Sequence, residues 1–163
     1  MTLVPWGSGD LELLERLMGD PRMTEYLGGP ESPEKLRDRQ ARYEHLEGGD
    51  RMFKVIEATS GSGAGSVGYW SKDWNDAQVY EIGWMVVPEF QGRGIAVAAT
   101  AQAIELARGD GLHRFMHAFP NVGNAASNAI CRKLGFELLG DREFEFPKGH
   151  FMICNDWRLD LEA

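Results

Sequence analysis

Apolar positions along the chain recur with two periods, about 3.6 and about 2, and the period changes at Gly and Pro. Thr2–Val4 reads as a short strand ended by Pro5. Asp10 is placed to cap a helix running to about Met18, with Leu11, Leu14 and Leu17/Met18 on one face. Asp20-Pro21 breaks it, and Arg22–Leu27 forms a further turn before Gly28-Gly29-Pro30. Ser32-Pro33 pairs a cap with Pro at the first helical position. The helix it opens extends to about Glu47, with Leu36, Tyr43 and Leu46 inward, and Gly48-Gly49 stops it. Met52–Ala58 and Val67–Trp70 read as strands around a flexible loop, Ser60–Ser66. No helix start follows that glycine-rich loop, so it is not a phosphate loop. Trp74-Asn75-Asp76 turns the chain into the central strand, Val79–Val87.

The second half alternates. Ile95–Arg108 is an Ala-rich helix with Ile95, Ala99, Gln102 and Leu106 at helical spacing, closed by Gly109-Asp110-Gly111. Leu112–Phe119 is a strand with Phe115, His117 and Phe119 on one face and Met116 and Ala118 on the other. Asn124–Leu134 is a short helix, with Gly135 as C-cap and Phe136 folding back. Phe136–Phe144 and Phe151–Leu159 are the last strands, joined around Pro147-Lys148-Gly149. Strands first and a strand–helix–strand crossover afterwards predict an α+β fold in one domain, residues 1–163.

Composition narrows the function classes. A length of 163 residues suffices for one substantial core, and a net charge of −8 argues against binding nucleic acid through the overall field. No apolar run reaches membrane-spanning length, and the start of the chain lacks the regions of a signal peptide. The expectation is a cytoplasmic protein that engages neither membrane nor nucleic acid. Cys131 and Cys154 make no C-x-x-C pair. His113 and His117 lie in one strand, roughly 13 Å apart at the strand rise, so no metal site is expected. Trp70, Trp74 and Trp84 read as core or pocket wall.

The chemistry concentrates between Val86 and Ala96, V-V-P-E-F-Q-G-R-G-I-A. A strand, a Pro-marked loop and a helix start follow one another. Gly92 and Gly94 let the loop turn and keep side chains out of a ligand's way. The free N–H groups at the helix start, with Arg93 beside them, suit a pyrophosphate. The run Gln91-Gly92-Arg93-Gly94-Ile95-Ala96 resembles the acetyl-CoA signature of the GNAT N-acetyltransferase superfamily, Q/R-x-x-G-x-G/A.

A second segment, Asn124 to Leu139, resembles the superfamily's other signature, with N-x-x-S-N leading to G-F. On a helix, Asn124, Ser127, Asn128 and Cys131 form a polar stripe opposite core-facing Ile130 and Leu134. The resemblance is to the branch that includes ribosomal-protein N-terminal acetyltransferases. It implies a mixed, strongly twisted sheet of about seven strands with helices on both faces. The implied reaction is acetyl transfer from acetyl-CoA to a primary amine: a small amine, an antibiotic or a protein N-terminus. Asn124, Ser127 and Asn128 would contact the cofactor, and backbone N–H groups of Met85, Val86 and Val87 would face the oxyanion if the central strand is bulged and splayed. Glu81, a carboxylate in an apolar strand, stands where relatives place a general base. Many relatives carry Tyr as the acid where this chain has Cys131, which leaves Ser127, Cys131 or solvent to protonate the thiolate. A non-catalytic acyl-CoA-binding domain is the competing expectation. The acceptor would be chosen by Asp20–Leu46 and the Phe144–Phe151 loop, and exposed strand edges allow a homodimer.

Overall fold

The computed structural model describes residues 1–163. One mixed sheet carries every strand: β1 (Thr2–Pro5), β2 (Arg51–Ile56), β3 (Gly63–Trp74), β4 (Ala77–Val86), β5 (Phe115–Ala118), β6 (Glu137–Glu145) and β7 (Phe151–Asp160). Their spatial order is β1-β2-β3-β4-β5-β7-β6, with β4 and β5 the parallel pair. Helices α1 (Leu11–Met18) and α2 (Pro33–Glu44) cover one face, and α3 (Ile95–Asp110) and α4 (Ala125–Lys133) the other.

Alternation along β4 decides which core each residue joins. Tyr80, Ile82 and Val86 pack under α3 with Ala99, Ala103, Ile104 and Ala107. Val87 joins Leu14, Leu17 and Leu36 of the first two helices. Ser32 caps α2 as its sequence predicts, accepting from the Lys35 N–H at 3.2 Å, and Pro33 occupies the first turn.

Several local expectations give way to packing. Gly63–Ser66, expected in a flexible loop, opens β3 instead. Ala64 is fully buried there, and a Cβ on Gly65 would overlap the Met85 carbonyl, so small residues mark a close strand pairing. β3 also runs on to Trp74, because Asn75 and Asp76 adopt φ of 50° and 62° and close a two-residue hairpin. Asp10 stands at the N-cap of α1 as expected, but its carboxylate makes no capping bond; it accepts instead from the Gly7 N–H at 2.7 Å and from Lys54 Nζ at 2.6 Å. The inward face of α3 holds Ala103 and Ala107, whereas Gln102 and Leu106 are exposed. In α2, Gln40 replaces Leu46 in the buried stripe and ties the helix to Trp6 and the Gly7 carbonyl.

Candidate active site

The sheet splits where its parallel pair ends. β4 and β5 are paired only at Tyr80↔Met116 and Glu81↔His117, after which they diverge. The register of β4 against β3 runs without interruption from Trp74↔Ala77 to Gly65↔Val86, so β4 is splayed but not bulged. Val87 N–H donates to the Ala64 carbonyl at 2.8 Å, which extends that register by one pair. Antiparallel ladders alternate strictly, so Val87 and Met85 turn their N–H groups to β3. Trp84 and Val86 therefore direct theirs into the split. Of the three N–H groups expected at the oxyanion, only that of Val86 faces the split.

A cleft of about 680 Å³ passes through this split. Ile82, Trp84, Val86, Gln91, Ala96, Asn124, Ser127 and Ile130 line it, together with Trp70, Lys72, Glu81 and Met85 of the sheet and with Tyr26, Arg39, Tyr43, Phe144 and Phe146. Gly83 keeps the cleft open: a Cβ there would stand 3.1 Å from the Trp70 ring, which lies across it. Gly28, at φ +83°, packs so tightly on Pro147 that the α1–α2 connection and the β6–β7 loop meet at the cleft.

The glycine loop is ordered by its own contacts. Gln91 Nε2 donates to the Val86 carbonyl at 2.9 Å and fastens the loop to the end of β4. Gly92 and Gly94 have φ of 76° and 75°, with empty space where a Cβ would be, so conformation rather than crowding calls for glycine. Gly94 caps α3 without a side chain, which leaves the first N–H groups of that helix free, and Arg93 lies over the Phe90 ring, 5.3 Å from its centre. Ile95, by contrast, is buried beneath α3.

Glu81 sits on the cleft floor. Burial pushes its carboxyl above the usual range, and Lys72, whose Nζ lies 3.4 Å from Oε1, opposes that rise. A proton acceptor in a partly dry cleft is what amine chemistry needs.

On α4 the residues separate. Asn124 caps the helix, accepting from the Ser127 N–H at 3.1 Å, and both residues border the cleft. Asn128 is buried and committed: its Nδ2 donates to the Asn121 and Asn124 carbonyls, at 3.0 and 2.8 Å. Its Oδ1 accepts from Asn155 Nδ2 and Trp157 Nε1, each at 2.8 Å. Asn128 has no group left for a cofactor. Cys131 is fully enclosed in the core and burial pushes its thiol up to about 12, so it does not face the cleft as an acid. The expected polar stripe is thus divided: Asn124 and Ser127 face the cleft, and Asn128 and Cys131 turn into the core.

Sequence reasoning missed Lys72 and Tyr26, and it left Trp70 between core and pocket wall. Trp70 and Lys72 share a face with Glu81, since Trp70 pairs directly with it, and period-two counting along a longer β3 would have found them. Tyr26 gave no signal, because a long connection carries it to the start of α4, where its hydroxyl lacks a partner; Tyr43, also in the cleft, receives Arg39 at 3.2 Å.

Residues 1–137 match the family described as the acetyltransferase (GNAT) domain. The chain belongs to the GNAT acetyltransferase family. An L-methionine sulfoximine/L-methionine sulfone acetyltransferase of Pseudomonas aeruginosa is 32% identical over 114 residues, 68% of this chain and 64% of the relative. Among solved structures, spermidine N-acetyltransferase of Vibrio cholerae, in complex with CoA and spermine, superposes with a TM-score of 0.81 at 20% identity, covering 99% of this chain and 95% of that one. A ribosomal-protein-alanine N-acetyltransferase of Brucella melitensis gives 0.77 at 21% identity over 98% and 99%. These structures share the fold of this GNAT chain. No helix of it is long and apolar enough to cross a membrane.

Proposed function

We propose that this GNAT protein transfers the acetyl group of acetyl-CoA to a small primary amine. The observation that carries the reading is the position of Glu81, a half-buried carboxylate lining the cleft that runs through the β4–β5 split. The named activities of its relatives, on methionine sulfoximine and on spermidine, support a small amine acceptor.

The residues present fit acetyl-CoA. The free N–H groups at the start of α3, with Arg93, would hold the pyrophosphate. The backbone of Trp84, whose N–H faces the split, would receive a pantetheine amide, as an added strand does, and Asn124 and Ser127 would border the thiol end. The bound substrate supplies an activated acyl carbon.

The chain's own groups then do three things. The apolar walls exclude water, Glu81 accepts the proton that the amine must lose, and the Val86 N–H faces the oxygen where charge develops. With Cys131 enclosed, Ser127 and Tyr26 are the hydroxyls able to return a proton to the leaving sulfur.

The enclosed Cys131 is also the one feature favouring a non-catalytic acyl-CoA-binding domain. Calorimetric titration with acetyl-CoA, on the wild type and on an Arg93→Ala, Gly94→Trp variant, is followed by thiol release across a panel of amines. Binding lost in the variant, with turnover on an amine, is expected. A wild type that binds but turns over no amine favours the second reading, and one that does not bind overturns both.

A further inference from the structure

One buried ionisable pair is not used by the chemistry above. His117 and Asp156 lie 4% and 8% exposed, and His117 Nδ1 meets Asp156 Oδ1 at 2.6 Å. Asp156 also accepts from Trp74 Nε1 at 3.0 Å, and these two bonds outweigh burial to hold its carboxyl below the usual aspartate range. An ionised carboxylate only accepts hydrogen bonds, so Nδ1 must carry the ring proton. Nε2 is then the basic end of the imidazole. It has no protein partner, yet it is not sealed in, because Trp84 Nε1 is the one fully enclosed side-chain polar atom without a partner.

The strand pairing decides what lies beside His117. His117 is the direct cross-strand neighbour of Glu81, at the last paired position before β4 and β5 part. Directly opposed residues share a face, so His117 leaves the sheet beside Glu81, just behind the residues that line the cleft. Phe119, a cleft residue, stacks on the imidazole at 5.7 Å between centres. The charged groups around His117 come from every neighbouring strand. They are Glu81 from β4 with Lys72 of β3 behind it, Asp156 and the cross-strand partner Arg158 from β7, and Arg142 of β6 near Asp156. Cys154 is the remaining titratable neighbour of Glu81.

We propose that His117, oriented by Asp156, is a positioning residue that relays the acceptor's proton away from Glu81. The N–H bond of the acceptor's ammonium breaks toward the Glu81 carboxylate, which leaves the neutral amine to attack the acyl carbon. The proton then passes to His117 Nε2, directly or through one water, and from the imidazolium to solvent, so Glu81 returns to its ionised form. Asp156 keeps Nδ1 protonated and Nε2 free, and stabilises the imidazolium while it lasts. Lys72 explains why Glu81 needs such a partner: the ammonium at 3.4 Å makes the carboxylate a weaker base than burial alone would.

This relay rests on the acetyl-transfer reading, but its first test does not. Nitrogen-15 NMR of the His117 ring in the wild type should show, in the neutral form of the ring, the proton on Nδ1 and Nε2 bare, with Asp156→Asn changing the tautomer. A wild-type ring protonated at Nε2 alone overturns the relay whether or not the protein acetylates anything. The second test is the pH profile of kcat and kcat/KM for His117→Gln. Turnover should fall about 10²-fold, at the lower end for a proton-transfer group, with an altered acid limb and unchanged acetyl-CoA affinity. An unchanged profile overturns the proposal, and so does a loss shared equally by folding, affinity and rate. If His117→Gln does not fold, the same pH profile is measured on Asp156→Asn, where an altered acid limb supports the relay and an unchanged one overturns it.

Discussion

Asn128→Ala separates two roles for a residue that its signature marks as a cofactor contact. In the fold, Asn128 makes four hydrogen bonds, two donated to carbonyls of the Asn121–Asn124 turn and two accepted from Asn155 and Trp157 of β7. It thereby pins the start of α4 to the sheet. Truncation strands Trp157 Nε1, on a residue only 4% exposed, and Asn155 Nδ2, while the Asn121 and Asn124 carbonyls keep the backbone N–H groups of Asn124 and Asn128. At about 2 kcal/mol for the buried indole donor left without a partner and about 1 kcal/mol for the more accessible amide bond, the loss should be about 3 kcal/mol. In a chain of this size that lowers Tm by about 6–12 °C. Urea denaturation measures the first and a thermal scan the second, and Trp157→Phe should be far less than additive with Asn128→Ala. Acetyl-CoA affinity should fall only as far as the α4 start is displaced. A stability loss below about 0.5 kcal/mol, of the size found at ordinary surface sites, together with a large loss of affinity, would refute the clamp and restore a direct contact.

Other outcomes follow from the same geometry. Glu81→Gln should lower kcat about 10²-fold or more while acetyl-CoA binding, read by calorimetry, is retained. It should also raise stability at neutral pH. A carboxyl lifted by burial is protonated more readily folded than unfolded, so the penalty grows as pH rises past the unfolded value and stays above the folded one. Asp156 has the opposite sign: its lowered value contributes stability above the ordinary aspartate range that is lost as pH falls through the folded value. Asp156→Asn should therefore cost more at pH 7 than at pH 3 in denaturant melts. Gly94→Ala, forced to a φ of +75°, should cost about 1–2 kcal/mol in urea melts and weaken acetyl-CoA binding. Cys131→Ala should leave turnover unchanged in the thiol-release assay, since the side chain is sealed in the core.

The local sequence determined what depends on neighbours in the chain. Period and punctuation placed all seven strands and four helices close to where they form, because alternation, Ser32-Pro33 and the glycine stops act over a few residues. The glycine loop was legible for the same reason, since a strand, two left-handed glycines and a helix start are contiguous. Elements held by partners distant in sequence were not legible. Gly63–Ser66 is a strand only because Met85 and Val86 lie against it, and Asn128 and Cys131 face inward only because β7 and α3 close over them. The cleft belongs to this second class. Its floor joins Lys72 to Glu81 through strand register, His117 to Asp156 across a strand pair, and Tyr26 to the start of α4 through a long connection. Only the folded sheet decides where β4 and β5 part, because that depends on which residues pair across the parallel strands, and no single segment carries that information.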